Sequence, residues 1–294
     1  MTSLAAPTNN EAAAPPLASL LSESFKYNQT VEIRLGLELT IQTVSRQELV
    51  QRVNRKQIAE GQDITGLKLW DFGLEFAKYL SRYPLFFSGK NILELGSGCG
   101  TLSLSLAATA KEASLFTITD AAEDALGLIR ANVERNRAVL GDANVSVEEC
   151  LWTTEEKEDK EDKETFVEST SGKMKVAYDI VLGTDLLYHM TTVESLFATA
   201  LRSLCTDKKG GGVFLLGGMS RYYGTIASIR TSCEELHLAI TFVSLKKMEI
   251  QYCDGMFLAI IARDESSFVP VLEGLNLEMD DSVNDDFEEE NDDY

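Results

Sequence analysis

The chain reads as an α/β domain: a seven-stranded, mostly parallel sheet with helices on both faces, a closing antiparallel hairpin, and a small β-hairpin on its N-terminal side. Three observations predict this. From residue 91, short apolar strands alternate with amphipathic helices, the order that makes neighbouring strands parallel and covers both faces of the sheet. The last two strands abut across a short turn instead, which places one antiparallel strand among the others. Apolar residues make up 44% of 294 residues, enough for one large core.

Taken in order, residues 1–25 are rich in Ala, Pro, Ser, Thr and Asn and read as a disordered lead-in. Segments 30–35 and 38–44 alternate apolar and polar residues around Gly36-Leu37, as a hairpin does. Leu69, Phe72, Phe76, Ala77 and Leu80 recur at helical spacing and predict a helix over 69–83. Strand 91–95 leads through a glycine-rich turn into a helix over 101–111. Strand 114–119 ends at Asp120, and Leu126, Ile129 and Val133 mark a helix over 122–137. Residues 145–151 alternate as a third strand. Residues 155–175 hold eight acids and five lysines, and read as a solvated, partly disordered insertion. Strand 178–183 runs into Asp185, and Val193, Leu196, Phe197, Ala200, Leu201 and Leu204 form one helical stripe. Strand 211–216, a helix over 223–236, and strands 239–248 and 255–262 complete the pattern. The domain is expected to span 26–266, with 267–294 an acidic disordered tail.

The formal net charge is −20, and residues 278–294 carry ten acids and no base. Such a chain repels phosphate backbones, which speaks against nucleic acid as partner and suits either a basic protein surface or solubility alone. Five scattered cysteines without a CxxC argue against a disulfide framework and a zinc site, and two histidines exclude a His-rich metal centre. The first basic residue is Lys26, so a secretory or transit signal is not expected, and the apolar runs are too short to span a bilayer. The expectation is a soluble protein of the cytoplasm, with nuclear residence left open, no membrane partner, and an oligomeric state on which the sequence is silent.

The chemistry concentrates around Leu93-Glu94-Leu95-Gly96-Ser97-Gly98-Cys99-Gly100, between a strand and a helix. In open α/β sheets ligands bind beyond the carboxyl ends of the strands, and glycines let the backbone approach them closely. A pyrophosphate disfavours a neighbouring carboxylate. Glu94 therefore suits a cationic amino-acid ligand and tilts the reading from a dinucleotide towards S-adenosylmethionine. Asp120 follows Gly100 by 20 residues at the end of the next strand, where a carboxylate accepts ribose hydroxyls; the glycine loop at that distance favours this role over capping the helix that follows, and both roles are compatible.

With these motifs in order, the chain resembles family 16 of the seven-β-strand S-adenosylmethionine-dependent methyltransferases, whose fold is Rossmann-like and whose characterised members mostly methylate lysines in proteins. Leu69-Trp70-Asp71 resembles the opening of the helix before motif I, and residues 92–100 match motif I. Thr119-Asp120 with Asn132 and Asn136 match the acidic post-I motif, and Leu151-Trp152 the tryptophan after the third strand. Asp185-Leu186-Leu187-Tyr188 matches the (Asp/Glu)-x-x-Tyr hallmark, and Arg221 an arginine after the fifth strand. The likeness covers about residues 30–264. It implies that Glu94, Gly96, Gly98 and Asp120 hold the cofactor, that Trp70 and Trp152 wall its pocket with Trp152 beside the adenine, and that the partner is a protein substrate. A buried tryptophan is more often core than ligand contact, and it is the family pattern that points both of these to the cofactor. Asp185 is the candidate to bind and align the acceptor amine, with Tyr188 shaping the channel; another cap is the plainer role for Asp185, and packing that for His189.

Three other readings stand beside this one. A nucleic-acid amino-methyltransferase would carry an (Asn/Asp/Ser)-Pro-Pro-aromatic motif, and 185–188 lacks both prolines. A small-molecule methyltransferase shares the cofactor half. An inactive methyltransferase fold serving as a binding module would not need the glycines, Asp120 and Asp185 intact.

Overall fold

The computed structural model describes residues 26–44, 65–154, 167–169, 172–174, 177–187, 193–206, 211–220, 224–248 and 255–283. Strands β1 (Lys26–Arg34) and β2 (Leu37–Val44) pair antiparallel as a separate two-stranded sheet. The main sheet contains β3 (Asn91–Leu95), β4 (Leu115–Asp120), β5 (Val145–Glu149), β8 (Ile180–Thr184), β9 (Val213–Met219), β10 (Ala239–Phe242) and β11 (Met256–Ala262), in the order β10-β11-β9-β8-β3-β4-β5. Five neighbours, from β9 to β5, run parallel, while β11 lies antiparallel between β9 and β10. The closing hairpin thus takes the expected place.

Period-two alternation along these strands sorts their side chains onto two faces. Ile92, Ile180, Leu182, Val213 and Leu215 face a core shared with helices α1 (Asp71–Leu80), α2 (Thr101–Thr109) and α3 (Glu123–Arg135) and with Leu39 and Ile41 of β2. The intervening Leu93, Val181, Phe214 and Leu216 face a second core, built with α5 (Val193–Ser203) and α6 (Thr225–Glu235). Helix α2 is buried almost all round, as its sequence TLSLSLAAT, with no charge, requires. Each fully buried Leu, Ile or Phe contributes about 1.5–3 kcal/mol, so these two layers fix the strand ends that carry the site.

Several expectations are corrected. The helix read over 122–137 stops at Arg135 and a one-turn helix, α4 (Arg137–Leu140), follows. Asn136 at the junction directs its side chain to β2, where its Nδ2 donates to Thr40 O (2.8 Å). Strand β10 is four residues long instead of ten, because Leu245 and Met248 are buried together at the spacing of a helical turn within Leu245–Met248. The insertion 155–175 contains an antiparallel pair, β6 (Val167–Ser169) with β7 (Gly172–Met174), and its other residues up to 166 lie outside the described ones.

The largest correction concerns the tail expected from 267. Helix α7 (Phe268–Gly274) buries Phe268 and Val271, and Leu275 and Leu277 join them in the first core. Tyr79 Oη donates to Leu275 O (2.6 Å), and Met279 bridges to Val243 beyond the end of the edge strand β10. The packed body therefore continues to Val283; residues 284–294 lie outside the described ones.

Candidate active site

Strand order reverses at β3: the chain moves to β4 and β5 on one side, then returns to β8 on the other. A crevice must open there, since the connections leave β3 and β8 in opposite directions. A cavity of about 510 Å³ occupies it, within the range of small-molecule sites. Every described candidate, Trp70, Glu94, Gly96, Gly98, Asp120, Trp152 and Asp185, lines it. Tyr188, His189 and Arg221 lie outside the described residues.

The turn after β3 holds Gly96 at φ +60°, and a Cβ there would come 2.6 Å from Leu186 Cδ2 and 3.1 Å from Trp152 Cζ2. Only glycine lets the turn pass beneath these two side chains. Gly100 begins α2 without any side-chain cap, yet an early backbone amide of that helix is satisfied from elsewhere: Ser103 N donates to Glu94 Oε2 (3.0 Å). A helix N-terminus favours a negative partner. Burial nevertheless pushes the Glu94 carboxyl up to about 7, the hydrogen bonds from Ser103 oppose it, and the charge of Asp120 adds to it. Glu94 is thus a buried acid on the edge of ionisation, facing a cavity.

Asp120, at the end of β4, accepts Gly98 N on Oδ2 (2.9 Å) and Ala122 N on Oδ1 (3.0 Å). The cap expected of Asp120 takes the form of this turn; the N-cap position of α3 itself belongs to Ala122. One carboxylate therefore joins the turn after β3 to the turn after β4. It can accept about four hydrogen bonds, more than these two amides use. Trp70 stands at the N-terminus of α1 with the Lys68 ammonium 3.3 Å from its ring centre, a cation–π contact.

Asp185 differs. It follows β8 with φ +57°, in the left-handed region, and its N–H donates to Gly217 O (2.9 Å). Gly218 of β9 makes room, since a Cβ there would lie 2.9 Å from Asp185 N. Among the described residues the next helix starts at Val193, too far along the chain for Asp185 to cap it. Asp is one of the few residues that tolerates this conformation, and such backbones cluster at functional sites.

Residues the sequence reading passed over complete the walls. Gly66, Leu67 and Lys68 close one side, Glu123 and Asp124 extend the acidic lining, and Thr184 and Leu186 flank Asp185. Asn132 and Asn136, known so far only as part of a pattern, tie the hairpin to the site. Asn132 accepts Gln42 N (2.7 Å) and donates to Gln42 O (3.1 Å) and to Cys99 O in the glycine turn (3.0 Å); Asn136 does the same with Thr40 N and O (both 2.8 Å). Their spacing of four residues on a helix matches the spacing of two on a strand, a signal visible only once both elements are known.

The donor set suits a ligand that is cationic at one end and carries a diol. Among the described residues five carboxyl groups line the cavity against one lysine, a turn that excludes side chains brings backbone close, and two tryptophans offer flat walls. Comparison with known proteins agrees. A family model described as lysine methyltransferase matches residues 55–221. Protein N-lysine methyltransferase METTL21A of Danio rerio is 28% identical, over 58% of this chain and 70% of that protein. EEF1A lysine methyltransferase 3 of Mus musculus is 30% identical, over 53% of this chain and 57% of that one. The chain spans from 30% to 70% of the length of the curated relatives it matches. Among solved structures, the putative methyltransferase SMU.776, complexed with SAH, shares the fold at a TM-score of 0.51 and 13% identity, over 82% of this chain and 57% of that one. By the motifs in its sequence, the cavity they line and the family model they satisfy, this chain belongs to the lysine methyltransferase family.

Proposed function

We propose that the protein transfers a methyl group from S-adenosylmethionine to a lysine side chain of another protein. The observation that carries this reading is the shared cavity: the acidic end of β8 faces the same space as the glycine turn and Asp120. When bound, S-adenosylmethionine supplies an electrophilic methyl group on a sulfonium. Glu94 and Asp120 are the groups to hold its cationic and ribose parts, the turn at Gly96 and Gly98 brings backbone against it, and Trp70 and Trp152 wall it in. Among the described lining residues, Lys68 alone opposes a positive ligand.

The acceptor side follows from lysine chemistry. A free lysine ammonium has a pKa near 10.4 and carries no lone pair. Entry into a half-buried site costs it hydration and favours its neutral form, while the Asp185 carboxylate attracts it and favours the charged form. Asp185 thus captures and aligns the amine, and the proton leaves to solvent before the lone pair turns to the methyl. Tyr188 is proposed to shape the channel. The acidic surface supports a basic protein partner over nucleic acid, and residence in the cytoplasm, or there and in the nucleus, fits such a substrate.

The test uses labelled S-adenosylmethionine and extract from cells lacking the protein, divided into macromolecules and small molecules. Label in the protein fraction supports the proposal. Label confined to small molecules replaces it with a small-molecule methyltransferase, and absence of cofactor binding by calorimetry replaces it with a binding module.

A further inference from the structure

The hairpin offers a second surface beside the cavity, and its backbone can be read from what holds its other edge. In an antiparallel pair, directly opposed residues alternate between those that bond each other and those whose N–H and C=O point outward. Thr40 and Gln42 turn both groups outward, to Asn136 and Asn132. Thr30 lies opposite Thr40 and Asn28 opposite Gln42, so these two must turn their own N–H and C=O away from β2, and Glu32, opposite Glu38, continues the alternation. Among the described residues β1 has no strand partner besides β2. Its far edge is therefore a three-residue ladder of outward donors and acceptors. Asn28, Thr30 and Glu32 are also exposed, while Val31 and Ile33 between and beyond them are buried.

Beneath this edge lies a groove of about 490 Å³ lined by Gln29, Thr30, Val31, Glu32, Leu69, Leu74 and Lys78. Leu69 and Leu74 also line the cavity of the candidate active site, so groove and cavity lie side by side on a common wall. Extended peptides commonly add to an open strand edge, gaining affinity from main-chain hydrogen bonds and specificity from adjoining pockets.

We propose that the substrate protein docks as an added strand on the outer edge of β1, laying the extended segment that flanks its acceptor lysine along the groove over Leu69 and Leu74. This rests on the lysine-methyltransferase reading. The occupant is assigned from continuity, since Leu69 and Leu74 line both groove and cavity, and from charge, since the described residues of that cavity include five carboxyl groups and one lysine. The hairpin is tied through Asn132 to the glycine turn, which keeps edge and cavity in register.

Two proline variants of the full chain separate this from a structural role of the hairpin. Thr30→Pro removes an outward donor, where a strand accepts proline; Gln29→Pro removes an inward donor needed by β2. Melting temperature, affinity for S-adenosylhomocysteine by calorimetry, and methyl incorporation into proteins of an extract from cells lacking the protein are compared. Thr30→Pro should keep the first two and need about tenfold more extract protein for half-maximal labelling, whereas Gln29→Pro melts at lower temperature. Thr30→Pro that labels extract as wild type does, or melts as low as Gln29→Pro, overturns the proposal. Amide exchange at Asn28, Thr30 and Glu32 should be fast in the protein alone; slow exchange there means that another part of this chain fills the edge, and also overturns it. Wild-type protein that binds S-adenosylhomocysteine yet labels no protein instead defeats the functional reading on which the docking rests.

Discussion

The ends of β4 and β8 each carry an aspartate into the same cavity, and they are built by different means. Asp120 sits on ordinary extended backbone, and its two oxygens accept Gly98 N and Ala122 N. Asp185 sits at φ +57°, in a turn that Gly218 makes room for. The first carboxylate joins two turns of the cavity wall, so its removal is expected to disturb structure and any ligand bound there together. The second is held at a conformational cost of about 1–2 kcal/mol and lies too far from the helix at Val193 to cap it. Residues held in sparsely populated backbone regions cluster at functional sites.

The contrast is sharpest under substitution. Asp185→Asn keeps a residue that tolerates the left-handed region and removes the charge; methyl transfer should fall about a hundred- to a thousandfold, or about 3–4 kcal/mol, with affinity for S-adenosylhomocysteine unchanged. Equal loss of both by calorimetry and methyl incorporation would make Asp185 architectural like Asp120, and the contrast would collapse. Asp120→Ala should weaken S-adenosylhomocysteine binding by about 1.5–3 kcal/mol and lower the melting temperature as well, since two backbone amides lose their acceptor. A fall in affinity with an unchanged melting temperature would show that those amides find other partners.

Glu94, on β3 between the two, gives a smaller and pH-dependent effect. The folded chain keeps its proton up to about 7, whereas the unfolded chain releases it near 4.5. Stability therefore declines as pH rises between these values and levels off above 7. Glu94→Gln should remove this decline, worth on the order of 3 kcal/mol at neutral pH, as urea titrations at pH 5 and 8 would show. In the wild type, affinity for the cationic ligand should rise as pH passes 7, because ionised Glu94 attracts it; a flat profile would remove Glu94 from the cofactor site. The smallest effect separates backbone from charge: Asp185→Ala should melt lower than Asp185→Asn by about 1 kcal/mol, because alanine lacks the tolerance of asparagine for positive φ.

Much of this site was legible in the sequence because one rule sufficed. A glycine turn after one strand and acids after two others must converge where strand order reverses, and Glu94, Gly96, Gly98, Asp120 and Asp185 do line one cavity. What the sequence hid depends on distance or conformation. The left-handed backbone of Asp185 has no sequence signature beyond the residue type. The Glu94–Ser103 bond stands in for a cap that Gly100 cannot supply, and it spans two elements. The asparagine ties reach residues 90 and 96 positions away. The end of the domain was misread for another reason. Acidic residues dominate 278–294, and their composition drew the boundary too early, although Phe268, Val271 and Leu275 already stand at helical spacing.

The measurement that bears most directly on the central claim is the identity of the labelled amino acid. Proteins from cells lacking this chain, incubated with it and labelled S-adenosylmethionine, would be hydrolysed and their amino acids separated. The account predicts label in Nε-methylated lysine, lost when Asp185→Asn replaces the wild type. Label in methylhistidine or methylarginine, or label in methyllysine that persists undiminished with Asp185→Asn, would contradict it.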